Sequence, residues 1–424
     1  MSAEPAMPTS LAHRLSPMRG RDPHEEGRAS TPLELLFDLT FVVAFGKAGE
    51  EMAHAIAADH LSVGLVGFGF AMFGVIWAWI NFSWFASAYD TDDWIYRVTT
   101  MVQMVGVVIL TLGLPRMFAS LEHGDHLDNS VMVLGYVVMR VAMLAQWLRA
   151  ARQCPGDMRA CLTYAATLVI AQVGWIYTAV ADLPTGVFFL VAAPLILVEL
   201  AGPAIAETRM GGTPWHAHHI AERYGLLAII TLGEGVIGTV ASVGATSAGG
   251  WDSGAVYVAA AGIGLTFGMW WVYFVMPSGT VLHRHRERSF IWGYGHMPLF
   301  AAIAAVGAGL HVAAYVVEHE HGAPEAGFVH IGSLGAVVAV AVPVAVFVLL
   351  VYALYTYLVR RSDPLHLVLL VGTAVVIALA IWLAARDVSM SVCLLVLMAA
   401  PLVSVVGYEL LGHRHQAEAL AGDE

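Results

Sequence analysis

Twelve separate apolar stretches of membrane-spanning length run from Leu33 to Leu411, at 33–57, 62–85, 97–118, 129–150, 158–181, 185–205, 216–243, 253–277, 289–317, 329–358, 364–385 and 388–411. A bilayer core takes about 20 apolar residues as helix, so each stretch is long enough to cross. Continuous apolar runs, without strand-like alternation, need every backbone hydrogen bond made inside one segment, and a helix does this. The fold class is therefore an all-α integral membrane protein with about twelve transmembrane helices. Composition agrees: the chain is 58% hydrophobic and only 12% charged, about half the charged fraction of a soluble protein. Lipid must solvate most of its outside. The net charge of −12 sits largely in tails and loops and gives no sign of nucleic-acid binding. Cys154, Cys161 and Cys393 form no metal-type spacing and cannot all pair, which supports neither a disulfide framework nor a structural zinc.

Charge placement sets the orientation. With twelve spans, the N-terminal tail shares a side with the even-numbered loops and the C-terminal tail. Those regions and their span ends hold fifteen of the twenty Lys and Arg residues, whereas the opposite loops hold just Arg116 and Arg386. Short basic loops resist translocation, so both termini are expected in the cytoplasm and the protein in the inner membrane. Residues 1–32 have no signal-peptide core and are expected to be a retained, disordered tail. Residues 412–424 form a second cytoplasmic tail.

Internal similarity suggests a duplication. Phe37 through Lys47 can be laid on Tyr224 through Glu234 without a gap, and Trp79-Ile80-Asn81-Phe82 resembles Trp271-Val272-Tyr273-Phe274. The outer loops share Glu122-His123-Gly124 with Glu320-His321-Gly322. Two parallel six-helix repeats follow, 33–209 and 210–411, as in some transporter folds.

A charge at mid-span costs roughly 2.5–3.5 kcal/mol even on insertion scales, so intramembrane ionisable residues face the bundle, pair, or line water. The first span carries Glu34 and Asp38 on one face, then Lys47, Glu50 and Glu51. The seventh carries His216, His218 and His219, then Glu222 and Arg223, and Glu234 near its middle. The repeat places Lys47 and Glu234 at matching depths, where the two are expected to approach; the alternative is local pairing of Lys47 with Glu51. Glu234 lies deep among Gly233, Gly235 and Gly238 without an obvious partner on its own helix, which makes it the candidate proton carrier. Arg140 is expected to pair with Glu199, and His296 to be a satisfied core histidine. The aromatic groups at Trp77–Phe85 and Trp270–Phe274 are read first as an interfacial belt, and second as the lining of a solute path.

No P-loop, dinucleotide fingerprint, nucleophile elbow or HExxH occurs, so ATP hydrolysis, dinucleotide binding and the commoner protease chemistries lack support. The mixed His and acid loops at 122–128 and 318–321 look like ordinary solvated loops, and the His216-x-His218-His219 segment is no established metal motif. No metal or cofactor is assigned.

Four segments together resemble the low temperature requirement protein A family of bacterial membrane proteins. They are Glu34-Leu35-Leu36-Phe37-Asp38-Leu39-Thr40-Phe41-Val42; His219-Ile220-Ala221-Glu222-Arg223-Tyr224-Gly225-Leu226 with Leu232-Gly233-Glu234; Trp270-Trp271-Val272-Tyr273-Phe274; and Tyr294-Gly295-His296-Met297-Pro298-Leu299. The resemblance implies Glu34, Asp38, His219, Glu222, Arg223, Glu234 and His296 as characteristic polar positions. Lys47 and Glu50 depart from the family pattern, as does Val275, where an acidic residue often follows the aromatic motif. No settled activity comes with the family name.

These features favour a secondary transporter or permease driven by a gradient, with a small solute and protons as partners besides the bilayer. Glu234 would carry the proton, and Glu34, Asp38, Glu222 and Arg223 would form a cytoplasmic gate. One alternative is an intramembrane enzyme in which His219, Glu222, His296 and Glu234 converge. Another is a structural or sensory protein whose polar core is fully paired.

Overall fold

The computed structural model describes residues 14–124, 126–247, 253–321, 327–361 and 363–421. The first thirteen residues of the expected tail, and Asp125 and Gly322 of the two outer-loop motifs, lie outside the described residues. Among the described residues, twelve helices have 18 residues or more: α1 (Pro32–Ala57), α2 (Leu61–Tyr89), α3 (Trp94–His123), α4 (Ser130–Gln153), α5 (Met158–Val180), α6 (Thr185–Arg209), α7 (Ala217–Ser247), α8 (Ser253–Phe274), α10 (Ser289–Glu320), α11 (Ser333–Val359), α12 (Pro364–Ala384) and α13 (Met390–Gly407). Two short helices complete the set, α9 (Ser278–Arg284) and α14 (His413–Ala421). No strand occurs among the described residues, so the protein is all-α.

Eleven of the long helices are apolar enough to cross a membrane by length and composition. The exception is α1, whose 26 residues include Glu34, Asp38, Lys47, Glu50 and Glu51. It runs without interruption past Gly46. Most helices overrun the apolar windows, because a helix keeps its hydrogen bonds beyond the hydrocarbon boundary. Thus α3 begins at Trp94, where Asp93 caps the backbone N–H of Tyr96 at 2.9 Å. Asp363 likewise caps α12 through Leu365 N–H at 2.8 Å.

The chain divides into two compact units. One holds the described residues up to Phe41 together with Ala78–Ile220; the other holds Val42–Trp77 and the residues from Ala221 on. Within the first, α3, α4, α5 and α6 pack in sequence order. Within the second, α10 packs on α11, and α13 on both α8 and α12. The most enclosed span is α10, with 83% of its apolar window buried, against 28% for α12. That contrast separates a core helix from one that faces lipid.

Residues 14–31, part of the tail expected from the sequence to be disordered, make long-range contacts within the first unit. Met18 is buried, Ser16 N–H donates to Asp93, Arg21 N–H donates to the Ala88 carbonyl at 2.9 Å, and Arg28 donates to the Ala86 carbonyl at 3.0 Å. These anchors are polar and long-range, so hydropathy carries no trace of them.

Candidate functional site

The start of α1 is built by a local motif. In Thr31-Pro32-Leu33-Glu34 the Glu34 N–H donates to Thr31 Oγ1 at 3.3 Å, and the Thr31 N–H donates to Glu34 Oε2 at 2.8 Å. This reciprocal arrangement is a capping box, with proline at the first helical position. The same carboxylate meets His219 Nε2 at 3.2 Å, and neither side chain has exposed surface. His219 is fixed in turn by His216, whose Nδ1 accepts the His219 backbone N–H at 3.2 Å while Nε2 lies 2.9 Å from the Glu25 carbonyl. Those two contacts require a neutral His216 ring protonated on Nε2. One turn beyond Glu34, the buried Asp38 accepts the Trp79 indole N–H at 2.7 Å. Glu34, Asp38 and His219 are thus brought into one buried polar cluster of the first unit.

Asp90, just past α2, gives this region a pH response. Burial pushes its carboxyl up to about 6, the Glu34 charge adding to the rise and Arg28 opposing it. A carboxyl raised on folding stabilises the fold in its protonated form, and that contribution fades as pH climbs through the folded value. Asp90→Asn should therefore melt at higher temperature than wild type at pH 7.5, by up to about 3 kcal/mol. The gap should close between about pH 6 and 4. A pH-independent difference in melting would show that the charge of Asp90 is not the cause.

In the second unit Glu234 stands alone. The residue is 5% exposed, and its Oε1 is buried without a hydrogen-bond partner among the described residues. Glycines make the space: a Cβ on Gly46 of α1 would come within 3.0 Å of Glu234 Oε1, and one on Gly307 of α10 within 2.7 Å of the Glu234 backbone carbonyl. Three helices approach closely here because those residues lack side chains. The expected meeting of Lys47 with Glu234 does not occur. Lys47 Nζ lies 3.0 Å from both Glu50 and Glu51, partners three and four residues along its own helix, which sit on the same face at no cost in reach.

His296, with no exposed surface, is satisfied at both nitrogens. Nδ1 lies 2.7 Å from the Trp292 carbonyl, so Nε2 is free to accept from the Tyr273 hydroxyl at 3.2 Å. Rings of Tyr224, Trp292 and Phe300 enclose it. Glu234 and His296 therefore do not converge on a shared proton, as the enzyme alternative requires. Arg223 is buried, whereas Glu222 is exposed, which removes Glu222 from a buried gate.

Arg140 and Glu199 form a closed network inside the first unit. The ion pair spans 2.8 Å with each side chain 4% exposed. Tyr136 donates to Glu199 Oε1 at 3.0 Å and accepts from Arg140, and the Trp175 indole N–H reaches the same carboxylate at 3.2 Å. The aromatic groups diverge. Trp77, Trp79, Phe82 and Phe85 are buried, against the belt reading, because Trp79 serves Asp38 and Phe82 packs on Phe37 at 3.9 Å. Trp270, Trp271 and Phe274 are 43–45% exposed, as a belt would be, whereas Tyr273 of the same group is buried.

Three participants escaped the sequence reading. Arg28 and the Trp79 donor act over long sequence separations that no local pattern reveals. The Thr31-x-x-Glu34 capping box was present in the string, and Pro32 at its first helical position was its signal. Among the described residues, no three His, Cys, Asp or Glu side chains converge as metal ligands.

An all-helical fold with ionisable side chains buried in its spans, most of them closed into pairs, defines a multi-pass membrane protein with a polar core. The chain belongs to the bacterial low temperature requirement A protein (LtrA) family, which it matches over residues 29–401. It is also similar to the uncharacterized protein RA0937 of Rhizobium meliloti (strain 1021), with 25% identity over 298 residues, covering 66% of this chain and 68% of that protein.

Proposed function

We propose that this LtrA-family protein is a proton-coupled secondary transporter or permease for a small solute, with Glu234 as the proton-binding carboxyl. One observation supports this above all: among the described residues the buried Glu234 Oε1, deep in a span, has no hydrogen-bond partner, while Lys47, Arg140 and His296 each have theirs. An unpaired intramembrane carboxyl is costly and is kept where it binds something transient. The paired residues favour a structural role for themselves and leave Glu234 as the site. Proteoliposomes with a trapped pH dye test the reading. Solutes that accumulate or vanish in a deletion strain should drive proton movement through wild type and not through Glu234→Gln. Equal movement through both, or none through wild type, would end the assignment.

The setting follows from the same residues. Arginines 14, 19, 21, 28, 149, 152, 284, 286, 288, 360 and 361 fall on one side of a twelve-span path, which supports an inner-membrane location with both termini cytoplasmic. Alkaline phosphatase fused after Glu424 should be inactive, since that enzyme needs export to form its disulfides. An active fusion would invert the topology.

A further inference from the structure

The α11–α12 pair offers a headgroup-sized cleft and a chain-sized groove on the same two helices. At the turn between them a cleft of about 270 Å³ is lined by Tyr355, Val359, Arg361, Asp363, His415 and Glu418. It is closed on one side by α14, where His415 Nδ1 lies 2.7 Å from Asp363 and Arg361 reaches the Glu418 carbonyl at 3.4 Å. Deeper in the span a groove of about 320 Å³ runs between Ala345, Val348 and Leu349 of α11 and Leu370, Val371 and Ala374 of α12. Its rim faces outward: Leu349 is 57% and Val371 55% exposed. At a rise of ~1.5 Å per residue, the groove begins roughly 9 Å below the cleft along either helix. It ends near mid-span, about 15 Å down, which is half a bilayer core.

We propose that this is a binding site for a glycerophospholipid bearing a primary-amine headgroup of the phosphoethanolamine class. One acyl chain lies in the α11–α12 groove, where the small side chains of Ala345 and Ala374 leave room. The headgroup sits in the cleft, whose charges are of both signs. Arg361 supplies donors to a phosphate and Glu418 an acceptor to an ammonium, beside the mutually paired His415 and Asp363 that wall the cleft. A phosphoglycerol headgroup offers no cation to the Glu418 carboxylate. A phosphocholine headgroup offers a cation without N–H donors. Only a primary ammonium beside the phosphate satisfies both halves, since charge-assisted hydrogen bonds need a donor at each acceptor. The assignment is independent of the transport reading, because none of these residues touches Glu234.

Native mass spectrometry of the delipidated full-length protein tests it. The protein is offered equal amounts of phosphatidylethanolamine, phosphatidylcholine and phosphatidylglycerol with matched chains. The ethanolamine lipid should be retained about tenfold over the other two, the factor expected of one charge-assisted hydrogen bond. Arg361→Ala and Glu418→Gln should each bring that ratio towards unity. Ala374→Trp should lower retention of all three lipids by filling the groove. All three positions are exposed, so the fold should survive, which an unchanged elution volume and melting temperature would verify. Equal retention by wild type, preference for either other lipid, or a preference untouched by the three substitutions would overturn the proposal.

Discussion

Proteoliposomes carrying Glu234→Gln are expected to hold their internal pH under a solute gradient that makes wild-type vesicles change theirs. Glutamine keeps the shape of the side chain and removes its ability to take up or release a proton. Among the described residues the substitution removes no hydrogen bond of Glu234 Oε1, which has no partner there. Thermal stability should therefore stay within about 1 kcal/mol of wild type, since no named destabilising mechanism applies. Proton movement should fall to the level of protein-free vesicles. The pairing of those outcomes matters, because a variant that merely misfolds would lose both. The close approach of Gly46 and Gly307 leaves little freedom for the carboxyl, so a functional Glu234 must exchange its proton in place or with a small separation of α1 and α10 from α7.

Arg140→Met should be the most destabilising single change in the first unit. It strands the Glu199 carboxylate at 4% exposure without its guanidinium partner, beside the Tyr136 and Trp175 donors. Removing one member of a buried pair costs about 3–5 kcal/mol, because the remaining charge has neither water nor a counter-ion. The double variant Arg140→Met with Glu199→Gln should regain most of that loss, since replacement of both charges is often neutral. Unfolding in detergent, followed by circular dichroism, reads both. A single variant as stable as wild type would show that Glu199 is neutral or solvated. In that case the pair contributes no net electrostatic stabilisation.

The spans were legible because hydrocarbon imposes a length and forbids unpaired backbone, and both constraints write themselves into runs of apolar residues. Even α1 could be read, despite five charges, since Phe37, Phe41, Ala44, Phe45 and Ala48 remain on a buried face. The Arg140–Glu199 pair was legible for a related reason: each was the deep ion of its span, and opposite charges in lipid have few other choices. For Lys47 the local alternative, Glu51, prevails over the depth-matched Glu234. Its own helix supplied two carboxylates within reach, and a local contact needs no tertiary rearrangement. Asp38 with Trp79, and the strap of residues 14–31 held by Arg28, depend on contacts more than forty residues apart in sequence. No periodicity encodes such contacts.

The belt reading failed for a physical reason as well. Tryptophan is favoured at headgroup level because its ring is apolar and its N–H polar, and a buried carboxylate satisfies the same two needs. Trp79 uses Asp38 in that way. Trp271, 45% exposed, reaches Glu409 at 2.9 Å near a span end. Two tryptophans thus satisfy the same indole N–H in different surroundings.

The central claim is that Glu234 changes its protonation state in the folded, membrane-embedded protein. Infrared difference spectroscopy of reconstituted full-length protein, recorded between high and low pH, measures this directly. A protonated-carboxyl C=O band should grow at low pH in wild type and be missing from Glu234→Gln. Difference spectra that are identical in the two proteins would contradict it.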